Sequence, residues 1–226
     1  MPLTRNRLAA GFILLLVALI AAPLLMHRGE RRPEMESGLP WQIETLPDGS
    51  TRVFGLVLGN TTLAEARTRL GGNLEIAIIA RRGESGTLEA YLPEARSSYL
   101  TGKLILSVDA GPELIRQMIE RSGGGKYMDS GAGRFELAPA DQALALQRPL
   151  AALSFIPSVD LDETTILQRF GAPAERIRTS EHTEHFLYPA KGLDIALDAR
   201  GKELLQYVAP RDFARLRTPL AAQAKP

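Results

Sequence analysis

Cysteine is absent from this chain of 226 residues. That removes structural disulfides, thiolate zinc sites, thiol catalysis, iron–sulfur clusters and a lipid-modified N-terminal Cys together. Histidine is nearly as scarce: His27, His182 and His185 are the three copies. A surplus of either charge is lacking too, with 27 Lys and Arg against 26 Asp and Glu. The first 32 residues hold five Arg and one Glu, leaving 22 basic against 25 acidic side chains beyond them, a net −3. Such a balance offers nucleic acid no electrostatic attraction, and no nucleic-acid partner is expected.

What the chain does have is one long apolar run, Leu8 to Met26 (LAAGFILLLVALIAAPLLM), without a charged side chain. At about 1.5 Å per residue, a helix of this length matches the ~30 Å hydrocarbon core of a bilayer. Arg5 and Arg7 precede it, and His27, Arg28, Arg31 and Arg32 follow. A transmembrane anchor over 8–26 is the expectation, with membrane lipid as its partner. A cleaved signal peptide competes, although cutting after Ala22 would leave Ile20 at position −3. Arginines on both sides nearly balance the positive-inside count. The signal-anchor layout favours residues 1–7 in the cytoplasm and the bulk of the chain in the periplasm, as a single-pass inner-membrane protein. The reverse orientation, with a cytoplasmic-facing accessory subunit, is the competing layout.

Residues 27–40 are polar, charged and broken by Gly and Pro, as in a flexible stalk. Ordered structure is expected from Trp41. Two strand-like runs flank Pro47-Asp48-Gly49, a turn sequence. Thr62 to Leu70 reads as a short helix, because Thr62 and Glu65 have capping-box spacing and Gly71-Gly72 ends it. Strand-like runs follow at 74–80, 86–92 and 103–108, then an amphipathic helix from Pro112 to about Arg121. A loop at 127–133, a short strand at 134–137 and a helix at 139–147 lead to a strand at 150–156. The last part reads as a helix over 162–170 and strands at 176–180, 185–188, 193–197 and 204–208. Leu193, Ile195 and Leu197 alternate with Asp194 and Ala196, the period of a half-buried antiparallel strand. From about Arg217 the sequence reads as a frayed tail.

The two capped helices form a weak repeat. Thr62–Gly71 aligns with Asp162–Gly171: each opens on a capping side chain, places an apolar residue before its final Gly, and is followed by strands. The expected fold class is therefore α+β: an N-terminal transmembrane helix, then two small modules, 41–137 and 138–216, each a short helix packed on an antiparallel sheet, then a disordered tail over 217–226. The pattern resembles the small envelope modules of the BamE/SmpA family and the tandem β-lactamase inhibitor proteins. Their signature is a capped helix written roughly T-x-x-x-(V/I)-x-x-x-(L/F)-G-x-P. The second copy matches at Asp162, Ile166, Phe170, Gly171 and Pro173. The first matches at Thr62, Leu70 and Gly71, with Ala66 in the middle and Asn73 where Pro stands in the pattern. The resemblance covers roughly 53–108 and 153–210. It implies a non-catalytic envelope module that works by binding a protein or envelope component.

Local chemistry points the same way. Met128-Asp129-Ser130-Gly131-Ala132 lacks the first Gly of a nucleophile elbow and reads as a turn. Ser122-Gly123-Gly124-Gly125-Lys126-Tyr127 ends a helix, whereas a phosphate loop must begin one. His182-Thr183-Glu184-His185 places its two imidazoles three apart, which on a strand is opposite faces, so a solvated hairpin end is the reading. Asp160, Asp162 and Glu163 sit at a helix start, where carboxylates complement the dipole. Trp41, Phe54, Tyr91, Phe155, Phe186 and Tyr188 lie mostly in strand-like runs, as core residues, some of them on an exposed sheet face that could bind a partner. No catalytic, cofactor-binding or metal-binding residue is assigned. No cofactor and no enzymatic activity are expected. The alternative function is a small-ligand carrier or enzyme whose site is dispersed across the two modules.

Overall fold

In the computed structural model the described residues are 38–71, 73–97, 99–128 and 131–224. The expected anchor at 8–26, and the stalk as far as residue 37, lie outside them. Strands β1 (Glu44–Thr45), β2 (Thr51–Val53) and β3 (Leu56–Val57) form a small antiparallel sheet. Asp48 shapes the first turn, its Oδ1 accepting from Ser50 N at 3.0 Å and Ser50 Oγ at 2.6 Å, the local bond that suits Asp to turns. Phe54 follows with a φ of 51°. A bulky residue adopts that region only under constraint, and here its buried ring lies 5.1 Å from Phe155 and 6.0 Å from Tyr207.

Helix α1 (Leu63–Leu70) is set by the capping box. Thr62 Oγ1 accepts from Glu65 N, and the Glu65 carboxylate accepts from Thr62 N at 2.8 Å. Hydrogen bonds to the Glu65 carboxylate from Thr62 N, and next from Thr62 Oγ1, hold that carboxyl below its ordinary pKa. Strands β4 (Glu75–Ala80), β5 (Thr87–Ser97) and β6 (Leu100–Val108) come next, followed by helix α2 (Pro112–Arg121). Two short strands, β7 (Gly125–Tyr127) and β8 (Gly133–Glu136), precede helix α3 (Pro139–Leu146) and strand β9 (Leu150–Pro157). Helix α4 (Glu163–Phe170) is capped by Asp162, which accepts from Thr165 N at 2.7 Å. Strands β10 (Glu175–Arg178), β11 (Thr183–Tyr188), β12 (Leu193–Asp198) and β13 (Leu204–Val208) form a meander, and helix α5 (Ala214–Gln223) follows.

All ten strands from β4 onward join one antiparallel sheet, in the order β10-β11-β12-β13-β9-β6-β5-β4-β8-β7. This corrects the expected fold class of two small α+β modules behind a transmembrane helix. The described chain is mostly sheet, with five helices, inside one unit spanning 34–226. The reason is edge pairing. β6 pairs with β9 over Gly102↔Pro157 to Val108↔Leu150, so strands assigned to separate modules share a ladder. Unpaired edges expose backbone donors and acceptors, and joining them satisfies both. At this seam Gly102 has no room for a side chain, since a Cβ would lie 2.5 Å from Ile156 O and from the Phe155 ring.

The localisation expectation is corrected as well. Among the described residues no helix is long and apolar enough to cross a membrane, so a single-pass inner-membrane protein with a periplasmic bulk has no spanning helix here to support it. The stalk reading fails at its end: Gly38 and Pro40 are buried, and Gly38 O accepts from Ser97 Oγ at 2.7 Å while Pro40 O accepts from Tyr207 Oη at 3.0 Å. The tail reading fails at 217–223, which continue α5.

The two sheet faces are unequal. The first carries residues such as Leu88, Leu106, Leu153, Phe155, Tyr207 and Ile195 into the main core, with Leu63 of α1, Met118 of α2, Ala145 of α3 and Ile166 of α4. On the second, Ile177, Leu187 and Val208 pack with Phe213, and Ala152, Leu216 and Leu220 lean on that group. Helix α5 lies over that smaller cluster.

Candidate functional site

The second face divides at β9 and β13. Toward β10 it is dry. Toward β4 it presents Ile79, Tyr91, Ile105 and Ile156, each half-buried and none belonging to either apolar cluster. Strand register fixes this arrangement. Tyr91 stands opposite Ile105 and Ile105 opposite Ser154, Ile156 is Ile105's diagonal neighbour opposite Lys103, and Ile79 stands apart opposite Thr87, beyond the row Ala77, Glu89, Ser107, Ala152. Charges border the strip. Glu75 lies at one end, bonded at 3.2 Å by Arg134 Nη2, and Lys103 sits exposed on β6. Large half-exposed aliphatics around one aromatic are the composition of an interface centre, and mixed charges that of its rim.

The dry half holds a polar pair. His185 on β11 and Asp194 on β12 are both buried, with exposures of 8% and 0%. His185 Nδ1 lies 3.0 Å from Asp194 Oδ2 and 3.1 Å from Oδ1. With a proton on Nδ1, the ring donates to the carboxylate. Burial raises the Asp194 carboxyl above its ordinary pKa, and the hydrogen bond and charge of His185 pull it back. The solvated-hairpin reading therefore holds for half-exposed His182, whose N–H donates to Ser180 Oγ at 3.1 Å, and fails for His185. Period-two alternation placed Asp194 on a wet face; α5 covers that face. The orientation suits a general base, but no hydroxyl nucleophile bonds to the ring among the described residues. No group of three or more metal-ligating side chains assembles there either.

The other singled-out residues are structural. Ser122 caps α2, its Oγ donating to Ile119 O at 2.7 Å. Glu163 accepts from Arg176 at 2.7 Å, and Asp160 from Lys202 Nζ at 2.5 Å. Asp129 and Ser130 lie outside the described residues. Phe54, Phe155 and Phe186 are core, Tyr188 donates to Gly171 O at 2.9 Å, and Trp41 packs edge-on to Phe170 at 6.3 Å. Tyr91 alone of the six aromatics named from sequence reaches the open strip. Ile79, Ile105 and Ile156 escaped notice because each belongs to a run apolar enough to read as core. Glu203 is buried before β13 with its Oε2 lacking a hydrogen-bond partner among the described residues, a costly acceptor with no role in the strip.

No family model matches the chain, and neither a curated protein nor a solved structure matches it.

Proposed function

We propose that this chain is a non-catalytic binding protein that takes a protein partner on the open half of its second sheet face. The observation that carries this reading is the patch of Tyr91, Ile105 and Ile156, with Ile79 further along β4, all half-exposed on strands fixed from both sides by the ladder. A rigid sheet costs little ordering entropy on association, so even a modest apolar strip can hold a partner. The partner that fits offers an apolar patch with a border of both charge signs, opposite Glu75, Glu89 and Lys103. The resemblance to BamE/SmpA-type modules supports the same class of role.

The test is capture of a partner by the full chain, compared with a Tyr91→Ala/Ile105→Glu variant. Loss of a captured protein by the variant, with its thermal midpoint within a few degrees of wild type, is the expected result. Equal capture by both chains overturns the reading.

A further inference from the structure

Where the open strip meets the start of α5 there is a cavity of about 440 Å³, within the roughly 300–1,000 Å³ typical of small-molecule sites. Its floor is made of short or polar side chains: Ser107 of β6, Ala152 and Ser154 of β9, and Gln206 of β13. Register places them side by side, Ser107 opposite Ala152 and Ser154 opposite Gln206. The hydroxyls of Ser107 and Ser154 and the Gln206 amide have no hydrogen-bond partner among the described residues. Val208 and Leu216 add apolar wall.

Two exposed charges line the same cavity, Asp109 just after β6 and Arg215 at the start of α5. Neither side chain forms an ion pair with the other or with any described residue; the Asp109 backbone carbonyl, not its carboxylate, accepts from Arg148 at 2.7 Å. Elsewhere the exposed arginines of this protein commonly find a carboxylate, as Arg116, Arg176 and Arg217 do. A dianionic phosphate would meet one guanidinium and a repelling carboxylate. A purely apolar ligand would strip water from hydroxyls and an amide without replacing it. A ligand with both charges and a modest apolar part satisfies every wall.

We propose that this cavity binds a free amino acid. Its carboxylate takes the paired donors of the Arg215 guanidinium, its ammonium faces Asp109, and its side chain lies along Ala152, Val208 and Leu216. The three unpartnered polar side chains of the floor hydrogen-bond the remaining polar atoms. Residues spread from Ser107 to Arg215, on three strands and a helix, build the site, so no contiguous motif announces it.

Isothermal titration calorimetry of the full chain against each common free L-amino acid tests this. At least one is expected to give saturable one-to-one binding. For that titrant Arg215→Gln and Asp109→Asn should each weaken binding about tenfold or more, as loss of a charge-assisted hydrogen bond does. Ser154→Leu should abolish it by filling the floor. The matching α-hydroxy acid, which lacks the ammonium, should bind wild type more weakly yet lose nothing further in Asp109→Asn. Both charges are exposed, so their variants keep the wild-type thermal midpoint. Absence of binding by every amino acid at millimolar concentration overturns the proposal, and so does binding undiminished in the two charge variants.

Discussion

Over β10 to β13 the second sheet face carries Ile177, Leu187 and Val208 beneath Phe213 and α5; over β4, β5, β6 and β9 it carries Ile79, Tyr91, Ile105 and Ile156, outside both apolar clusters. The backbone scaffold is the same continuous ladder. The covered half contains a buried ionisable pair and the clustered aliphatics Ile177, Leu187 and Val208, whereas the open half has apolar side chains left half-wet. Both halves carry aliphatic side chains, so apolarity alone does not dictate which half α5 covers. Its position follows instead from the chain's exit at Val208 through Phe213 and from the Arg217 guanidinium, which donates to Glu175 at 2.7 and 3.0 Å. The open aliphatics are thus surplus to folding, which is why a binding role belongs to them.

This contrast can be broken most forcefully at Phe213. Phe213→Ala should cost about 3–5 kcal/mol, the usual price of emptying a buried aromatic site, read as a fall in the urea midpoint. At the buried pair, Asp194→Ala leaves a buried imidazole donor unmatched and should cost about 1–3 kcal/mol. Asp194→Asn behaves differently. Burial holds the Asp194 carboxyl above its ordinary 3.8, so the fold favours its protonated form. That contribution to stability is complete below pH 3.8 and is lost as pH rises through the folded value. Relative to wild type, the Asn variant should therefore gain stability as pH rises from 3 to 7 in a series of urea titrations.

On the open half the same kind of truncation should be mild. Tyr91→Ala and Ile105→Ala are each expected to cost less than about 1 kcal/mol, as half-exposed positions do, while weakening partner capture. A cost near that of Phe213→Ala would show that something in the chain covers the strip. The smallest effect belongs to Glu175, whose carboxyl is held below its ordinary 4.5 chiefly by the hydrogen bonds from Arg217. Its contribution is full above pH 4.5 and is lost as pH falls through the folded value. The stability difference between wild type and Glu175→Gln should fade in the same direction.

The local elements were legible where short-range chemistry decides them. Thr62 with Glu65, Asp162 with Thr165, and Pro112 at a helix start each act within four residues. What could not be read was pairing at long range. Nothing in β6 or β9 names the other as its neighbour, so two helix-plus-strand units were expected to stay separate. The second miss was α5. Thr218-Pro219 and the following alanines resemble a tail, and Pro219 stands inside the helix, whose stability comes from Leu216 and Leu220 on the sheet. With α5 unseen, Asp194 was placed in water. The cavity at Arg215 was hidden for the same reason, since one of its walls is that helix.

Two of the deepest polar contacts in the protein, Ser97 to Gly38 and Tyr207 to Pro40, end on carbonyls that precede Trp41, the single tryptophan. A protease that trims this chain to Trp41 would remove no apolar core and yet strand a hydroxyl at each of two places where water cannot reach. The Tyr207 hydroxyl, whose burial already pushes its pKa well above that of a free phenol, would be left bare in the middle of the first face. Cleavage before Gly38 would leave both bonds intact. A resistant fragment should therefore begin at or ahead of Gly38, and N-terminal sequencing after limited digestion would locate that start to the residue.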